Sequence, residues 1–336
     1  MLTGPGRWTV ADVEPPRADP GHVVVDIARV GVCGTDTELF SGEMEYLRDG
    51  LASYPLRPGH EWCGTVSAVG EGVDPSWLGR RTTGDTMIGC GRCHRCLGGR
   101  QHVCEHRHEI GLRRGFDGAL AEQMAVPASA LLALPDAVDD TAGAMVEPGG
   151  NALRAVLAAD LTAGERLLVI GPGTIGLLAM LFALARGCEV HVLGTTSASL
   201  EVASSHGANG TWTVDDLPDL RWDAVIDASN GAGSPALAAE LVDAGRHIVL
   251  IGLADTASRL DTRTLVMKDV QAVGILSASP GLVGTIELYA SGAVDPRGLV
   301  AATLTLDDVG DVLGGARPVD AGPEPKIHVD PAGRPR

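Results

Sequence analysis

The sequence predicts an α/β protein in which a β-rich, barrel-like domain is followed by a doubly wound parallel sheet. Glycine-punctuated, strand-like segments fill the chain up to about residue 135. Beyond residue 140, helical patterns rich in alanine and leucine alternate with short apolar strands. The chain has 336 residues, of which 45% are hydrophobic. This length is typical of two domains, and this composition can form a sizeable apolar core in each.

Composition also restricts the class of partner. The chain carries 26 basic and 43 acidic side chains, a net charge of −17, which argues against nucleic acid or an anionic membrane as partner. It has no run of about 18 or more apolar residues, and its beginning lacks the charged and apolar regions of a signal peptide. We therefore expect a cytoplasmic protein with reduced cysteines and no membrane partner.

The predicted strands have different surroundings in the two halves of the chain. In the first half, residues 22–32 are β-branched and partly alternating, and residues 64–72 and 119–127 are also strand-like. After residue 278 the βα alternation stops, and the strand-like residues 325–331 are expected to return to the first domain. In the second half, helical patterns separate most of the apolar strands, which indicates parallel pairing. Those strands are residues 166–170, 189–193, 223–228, 246–252 and 270–275.

Four cysteines lie within the segment GCGRCHRCLGGRQHVC, residues 89–104. Thiolates this closely spaced converge on tetrahedral Zn²⁺, and the neighbouring glycines allow the tight turns that such a site needs. Four sulfur ligands leave no open coordination position, so the predicted zinc is structural. An iron–sulfur cluster and a disulfide pair are the alternatives. The four residues are Cys90, Cys93, Cys96 and Cys104.

A G-x-G-x-x-G motif stands between a predicted strand and a long apolar helix, which is the context that dinucleotide binding requires. Gly171 permits the tight turn, Gly173 allows the backbone to approach a pyrophosphate, and Gly176 allows close helix packing. The helix beginning near Thr174 and Ile175 offers free N–H groups to phosphates. A glycine-rich turn without a nucleotide is the alternative.

The loop after the second strand of this domain bears on the choice between NAD and NADP. An acid that would bind the ribose of NAD is absent there, and so is an arginine that would favour the 2′-phosphate of NADP. Hydroxyl groups can donate to that phosphate, so the loop slightly favours NADP. Its residues are Gly194, Thr195, Thr196 and Ser197.

A second set of potential metal ligands is spread over three segments. Cys33 lies in VGVCGTDTELF, His60 and Glu61 lie in RPGHEWCGTV, and Glu147 lies in AMVEPGG. A thiolate, an imidazole and a carboxylate with an exchangeable fourth position suit catalytic zinc. Taken singly, each residue is as readily explained by ordinary packing.

With the four-cysteine segment and the dinucleotide motif following in this order, the chain resembles the zinc-dependent medium-chain dehydrogenases of the alcohol, sorbitol and threonine dehydrogenase kind. The resemblance implies a GroES-like catalytic domain over residues 1–148 with a structural zinc lobe at about 89–105. It further implies a Rossmann domain over 149–277, a C-terminal segment 278–336 that returns to the catalytic domain, and an active site in the cleft between the domains. It also implies a homodimer or homotetramer. Catalytic zinc would be bound by Cys33, His60, Glu61 and Glu147.

The implied reaction is oxidation of a secondary alcohol to a ketone with hydride transfer to NAD(P), zinc lowering the pKa of the substrate hydroxyl. Thr35 is the candidate for the first proton-relay hydroxyl, and Asp36 for a carboxylate that orients a ligand such as His60. Glu38 stands where threonine-dehydrogenase relatives have a histidine, so a histidine relay is absent.

The low aromatic content, 3%, argues against a large apolar substrate pocket. The polar residues that follow Cys33 and Glu147 favour a polyol, sugar or cyclitol, with an amino group as one option. Aldose 1-dehydrogenase or L-threonine dehydrogenase activity on the same scaffold is the alternative, and a non-enzymatic zinc and nucleotide binder is a further one. The polar residues are Glu38, Glu43, Glu45, Tyr46, Gly149, Gly150 and Asn151.

Overall fold

A computed structural model describes residues 1–333 of the chain. Its strands are β1 (Leu2–Gly4), β2 (Arg7–Trp8), β3 (His22–Val32), β4 (Glu61–Val69), β5 (Arg81–Gly84), β6 (Met87–Ile88), β7 (His108–Glu109), β8 (Gln123–Pro127), β9 (Leu131–Ala133), β10 (Arg166–Ile170), β11 (Glu189–Leu193), β12 (Gly210–Trp212), β13 (Trp222–Asp227), β14 (Val242–Leu250), β15 (Gln271–Gly274), β16 (Val300–Leu304) and β17 (Lys326–Val329). Its α-helices are α1 (Gly34–Ser41), α2 (Glu45–Arg48), α3 (His94–Leu97), α4 (Asp140–Ala144), α5 (Val146–Ala158), α6 (Thr174–Ala185), α7 (Ser197–Ser205), α8 (Ser234–Leu241), α9 (Thr262–Lys268), α10 (Leu282–Ala290) and α11 (Val309–Leu313).

The described chain divides into two compact units. The first comprises residues 1–147, 300–322 and 326–333, and the second comprises residues 148–299 and 323–325. The predicted return to the first domain at residue 278 is therefore placed too early. Arg154 donates to the backbone carbonyl oxygens of Leu276 and Ser277, and the Tyr289 ring of α10 stacks on Phe182 at 5.9 Å between centroids. These contacts keep residues 278–299 in the second unit.

The first unit is built on a seven-stranded sheet with the order β16-β17-β3-β4-β5-β9, to which β8 adds by pairing with β3. β3 pairs antiparallel with β4, β8 and β17. Its alternating side chains put Val23, Val25 and Ile27 into an apolar core around the fully buried Trp62 of β4. The predicted β-rich domain is confirmed, with its longest strand at residues 22–32 as predicted.

The second unit is built on a six-stranded parallel sheet with the order β12-β11-β10-β13-β14-β15. This order, 3-2-1-4-5-6 in chain sequence, is that of the doubly wound dinucleotide-binding fold. The strands begin and end within a few residues of the predicted ones. β10, β11 and β13 are buried and mostly apolar, and such runs are easily recognised. The short β12 carries no such run and was not predicted.

None of the helices in residues 1–333 has the length and apolar character needed to cross a bilayer. The longest, α5, has 13 residues, whereas a spanning helix needs about 20.

Candidate active site

The four cysteines of residues 89–104 come together in the first unit. Their sulfur atoms all lie within 4.8 Å of one another, with 4.0 Å between Cys90 and Cys96 and 3.8 Å between Cys93 and Cys104. A tetrahedron of sulfurs around zinc, with bonds of about 2.3 Å, has edges of about 3.8 Å. The thiols are free, not disulfide-bonded. The donor set therefore fits a tetrahedral metal without an open position.

The surroundings of the four thiols shift their pKa values in different directions. Cys93 caps the short helix α3 by accepting the N–H of Cys96. The N–H groups of Arg92 and Cys93 lower the pKa of Cys90 to about 6, because they stabilise its thiolate. Burial raises the pKa of Cys96 to about 11. In the absence of metal, Cys90 is thus a thiolate at neutral pH and Cys96 is not.

The second predicted ligand set forms a cluster of Cys33, His60 and Glu61, whose ligand atoms also lie within 4.8 Å of one another. Cys33 directly follows β3, and His60 and Glu61 stand at the start of β4. The antiparallel register pairs Gly31 with Glu61, so the end of β3 meets the start of β4. His60 and Glu61 are buried. A half-buried thiol and a buried imidazole and carboxylate around one point suit zinc with an exchangeable position.

Asp36 braces this cluster from the first turn of α1. Its fully buried carboxylate accepts the N–H of Cys33 at 2.9 Å and that of Gly59 at 3.2 Å. Its Oδ1 also lies 3.5 Å from His60 Nδ1, an ion-pair distance too long for a good hydrogen bond. One carboxylate thus fixes the backbone beside both ligands and faces the imidazole nitrogen opposite Nε2.

The pKa values of Asp36 and His60 shift in opposite directions. Burial raises the pKa of Asp36, but the facing His60 and the two backbone N–H groups outweigh burial and hold it below its ordinary value. Burial lowers the pKa of His60, but Asp36 and the Cys33 sulfur outweigh it and raise that pKa well above its ordinary value. The site attracts a positive charge, which either a proton or a metal ion can supply.

Glu61 has a partner that the sequence did not predict. Lys326 Nζ lies 2.9 Å and 2.6 Å from its two carboxylate oxygens, and the lysine side chain is 3% exposed. The Glu61 carboxylate lies directly over Gly31, where a Cβ atom would come within 2.1 Å of Oε2. Gly31 therefore makes the space in which this ion pair forms.

Of the other residues predicted for the site, one lies beside the cluster and two do not join it. Thr35 Oγ1 lies 3.8 Å from the Cys33 sulfur, beside the cluster. Glu38 is exposed on α1. Glu147 is buried at the start of α5, but it is not one of the ligand-bearing side chains grouped with Cys33 in the described residues. Its role as a zinc ligand stays a prediction.

In the second unit, the three motif glycines lie between β10 and α6. Gly171 has a φ of 97°, a left-handed conformation that favours glycine. A Cβ on Gly176 would lie 1.9 Å from the Gly171 oxygen, so helix and turn are in direct contact. Gly173, which precedes α6, has open space where its Cβ would be. This arrangement leaves the helix N-terminus accessible to a phosphate.

In the loop of residues 194–197, which the sequence predicts to lie near the ribose, one of the three hydroxyl groups already forms hydrogen bonds within the protein. Thr196 caps α7 by accepting the N–H of Ser199 and also bonds the Ser199 hydroxyl at 2.8 Å. Thr195 and Ser197 are exposed, and Gly194 is packed against Pro172 and Leu200. Two of the three predicted hydroxyls therefore stay unengaged by the cap.

Known proteins resemble this chain over nearly its whole length. Residues 19–136 match the alcohol dehydrogenase GroES-like domain family. The L-threonine 3-dehydrogenase of Idiomarina loihiensis is 30% identical over 81% of both chains. The 2-dehydro-3-deoxy-L-galactonate 5-dehydrogenase of Pseudoalteromonas atlantica is 31% identical over 87% of both chains.

Two solved structures share the fold, each with a TM-score of 0.89. A zinc-binding dehydrogenase from Sinorhizobium meliloti, bound to NADP, is 28% identical and covers 98% of both chains. An alcohol dehydrogenase from Escherichia coli, complexed with NADH, is 25% identical and covers 98% of this chain and 97% of its own. With the two cysteine-containing clusters and the dinucleotide turn, these similarities show that the chain belongs to the zinc-dependent medium-chain dehydrogenase family, whose enzymes are oxidoreductases acting on CH–OH groups.

Proposed function

We propose that this enzyme uses NAD(P) to oxidise a secondary alcohol of a polar polyol, sugar or cyclitol to a ketone. The observation that carries the proposal is the cluster of half-buried Cys33 with buried His60 and Glu61, and the Asp36 carboxylate beside His60. Its donors fit catalytic zinc, and the motif around Gly171 in the second unit fits a dinucleotide.

Zinc at this cluster would supply a Lewis acid that lowers the pKa of the substrate hydroxyl, and the nicotinamide would accept the hydride. Cys33 and His60 would bind the metal, while Asp36 orients the imidazole. Glu61 would be the exchangeable carboxylate, because Lys326 contacts both of its oxygens and competes with a metal for them. Thr35, next to the Cys33 sulfur and partly exposed, would relay the substrate proton, accepting it while its own hydroxyl proton passes to water.

We further propose two zinc ions per chain, one at this cluster and a structural one at the four cysteines. For the cofactor we propose a modest preference for NADP, since the exposed hydroxyls of Thr195 and Ser197 can donate to a 2′-phosphate and no acid of the loop repels it. The partner is a small-molecule alcohol, and the homodimer or homotetramer stays a prediction.

The substrate class is argued from polarity. The low aromatic content disfavours a large apolar substrate. An amino group on the substrate has less support than the sequence suggested, because Glu38, Glu43 and Glu45 are all exposed on the first unit. The relative that oxidises L-threonine favours a second candidate, an L-threonine dehydrogenase-like activity. Aldose 1-dehydrogenase activity is the remaining alternative on this scaffold.

The experiment is a turnover assay of the zinc-loaded enzyme with NAD⁺ and NADP⁺ against polyols, aldoses, cyclitols and L-threonine. Reduced nicotinamide reports hydride transfer. Cys33→Ser and His60→Ala should each abolish turnover and leave binding of the dinucleotide intact. His106→Ala is the matched control, since His106 is exposed and outside the cluster. Near-normal kcat in either cluster variant would disprove catalysis at this site, and absence of turnover on every substrate would disprove the proposed function.

A further inference from the structure

A second group of polar side chains lies buried in the first unit, apart from the metal clusters. Tyr46 of α2 and Glu109 of β7 are joined there by Arg107 and Arg113. We call these four residues the arginine cluster. The side chains of Glu109, Arg113 and Arg107 are 2%, 9% and 13% exposed, so little water reaches the charged groups.

A single carboxylate oxygen serves all three partners. Glu109 Oε1 accepts the Tyr46 hydroxyl at 3.0 Å and Arg107 Nε at 2.7 Å, and it lies 3.6 Å from Arg113 NH1. The last distance is too long for a hydrogen bond. The Arg113 guanidinium also lies over the Tyr46 ring, 5.2 Å from its centroid. Arg107 therefore forms a hydrogen bond with the Glu109 carboxylate, whereas Arg113 lies near the carboxylate without forming one.

The arginine cluster therefore has more positive charge and more donors than it can satisfy. It combines two guanidinium groups with one carboxylate. Arg113 Nε is buried without a hydrogen-bond partner among the described residues. An unpartnered buried donor on a charged group is costly, because its hydration is lost and nothing replaces it. This local excess of positive charge contrasts with the net charge of the whole chain, which is −17. A bound anion would neutralise the local excess.

The segment of the arginine cluster contacts the backbone of Gly59 and His60 at two points, one direct and one through Thr86. Gly111, between Glu109 and Arg113, packs on Gly59, since a Cβ on Gly111 would lie 2.9 Å from the Gly59 oxygen. The Thr86 hydroxyl donates to the His60 carbonyl oxygen, and the Thr86 carbonyl oxygen accepts the N–H of Ile110. The segment that carries Arg107 and Arg113 thus lies directly against the segment that carries His60.

We propose that Arg113, with Arg107 beside it, binds an anionic group of the substrate, so that the natural substrate is an alcohol bearing a carboxylate or a phosphate. This inference rests on the proposed function and names its substrate class. Guanidinium forks suit both anions, because each offers paired oxygens in one plane. The hydroxyl to be oxidised would lie at Cys33 and His60, and the anionic end would lie at Arg113.

The test compares three probes that differ only at C1 of the same hexitol: sorbitol, sorbitol 1-phosphate and gluconate. The zinc-loaded parent should turn over at least one of the two anions with a kcat/KM at least about tenfold above that of sorbitol. Arg113→Gln should remove that advantage, mainly by raising KM for the anion, and should lower kcat/KM for sorbitol by a much smaller factor. A hydrogen bond to a charged group has about this value. Whichever anion loses its advantage identifies the group that is recognised.

Arg114→Gln is the matched control, since Arg114 is the exposed neighbour of Arg113 and loses the same charge. It should leave kcat/KM unchanged for all three probes. Arg113→Lys, which keeps the charge without the fork, should recover part of the advantage. The melting temperature and dinucleotide affinity of Arg113→Gln show whether it is folded. An equal loss for sorbitol and for the anions would assign Arg113 a purely structural role.

A binding measurement separates this inference from the proposed function. Inorganic phosphate is titrated into the holoenzyme with its dinucleotide site saturated, so that the motif around Gly171 cannot bind it. Binding to the parent that is at least about tenfold weaker in Arg113→Gln would support the inference even if no probe is oxidised. Equal phosphate affinity in the two proteins would overturn it. If sorbitol and both anions are oxidised equally well, the function stands and the inference is wrong.

Discussion

Lys326 Nζ lies 2.6 Å from Glu61 Oε2 and 3.0 Å from the carbonyl oxygen of Val32, the residue before Cys33. Strand β17 thus places a cation between the segment that leads to Cys33 and the segment that carries Glu61. Burial alone lowers the pKa of Lys326, but Glu61, Cys33 and Asp36 outweigh burial and raise it, so the lysine stays charged. Its positive charge stabilises the buried Glu61 carboxylate without a metal ion.

Lys326→Met should therefore destabilise the protein, because it leaves the Glu61 carboxylate buried without a counter-charge. Removal of one partner of a buried ion pair costs about 3–5 kcal/mol. The double variant Lys326→Met/Glu61→Gln removes both charges and should recover much of that loss. Urea unfolding of the single and double variants measures both values.

Lys326→Arg is the control for this pair, since it keeps the charge and changes the shape of the head group. It should cost less than Lys326→Met. If Lys326→Met unfolds at the same urea concentration as the parent, water reaches Glu61 and the pair does not stabilise the unit.

Composition singles out Lys326 but does not predict what it contacts. Lys268 and Lys326 are the two lysines among 26 basic residues, so wherever arginine suffices the chain uses it. Lys268 donates to three backbone carbonyl oxygens at and near the end of α8, and Lys326 serves one carbonyl oxygen and one carboxylate. A compact ammonium with three donors fits such sites, and a planar guanidinium does not. A retained lysine in an arginine-rich chain is a structural signal.

Loss of one cysteine from the four-cysteine site should remove one zinc and keep the other. Cys96→Ser leaves three sulfurs, which is too few for a closed tetrahedral site. The free energy of unfolding should fall by roughly 4 kcal/mol or more, as is typical when a structural metal is lost. Metal analysis should find about two zinc ions per chain in the parent and about one in the variant.

His94→Ala is the control for Cys96→Ser, because His94 is exposed in the same segment and is not needed as a ligand. It should keep both metal ions. Iron–sulfur absorbance in protein purified without oxygen would contradict the zinc assignment.

After the zinc has been removed with a chelator, Cys90 and Cys96 should be alkylated with different dependences on pH. The thiolate is the reactive form, and the pKa of Cys90 is about 6 whereas that of Cys96 is about 11. Alkylation of Cys90 should rise through pH 6 and then level off, while alkylation of Cys96 should still be rising above pH 9. Mass spectrometry of timed samples follows each site. Added zinc should protect both, and equal rates for the two thiols at pH 7 would contradict this assignment.

Asp36→Asn should weaken zinc binding at the Cys33–His60 cluster about 10- to 100-fold, the usual effect of losing a carboxylate behind a histidine ligand. Asparagine keeps the size of the side chain but loses the charge that faces His60. Competition with a chromogenic chelator measures the affinity. Asp49→Asn, an exposed change in the loop before His60, should have no effect. Equal zinc affinity in both variants would show that Asp36 only supports the backbone.

The grouping of Cys33, His60 and Glu61 was predictable, and its surroundings were not. Each ligand follows or precedes a strand whose pattern is clear, and antiparallel pairing of β3 with β4 brings the three together. The ion pair over Gly31 depends on β17, almost 300 residues further along the chain, and no local pattern encodes such a contact. The arginine cluster was missed for the same reason, since α2 and β7 lie far apart in sequence.

The structure changes how the cofactor preference should be tested. An acid at Gly194 would place a carboxylate near the ribose, but its Cβ would lie 2.9 Å from both Leu200 Cδ2 and Pro172 Cγ. Such a variant would disturb the turn that it is meant to probe. Thr195 is the neighbouring position, and it is exposed.

Thr195→Asp should reverse the cofactor preference from NADP to NAD. In the parent, Thr196 is engaged in capping α7, so Thr195 and Ser197 remain as donors to a 2′-phosphate. Neutral hydrogen bonds contribute about 0.5–1.5 kcal/mol each, so the parent should prefer NADP by about five- to hundredfold. Aspartate adds a ribose acceptor and repels the phosphate. The values of kcat/KM for both cofactors measure the change, and Ser204→Asp, which adds the same charge at the far end of α7, should leave them unchanged. A parent that strongly prefers NAD would show that a residue outside this loop binds the ribose.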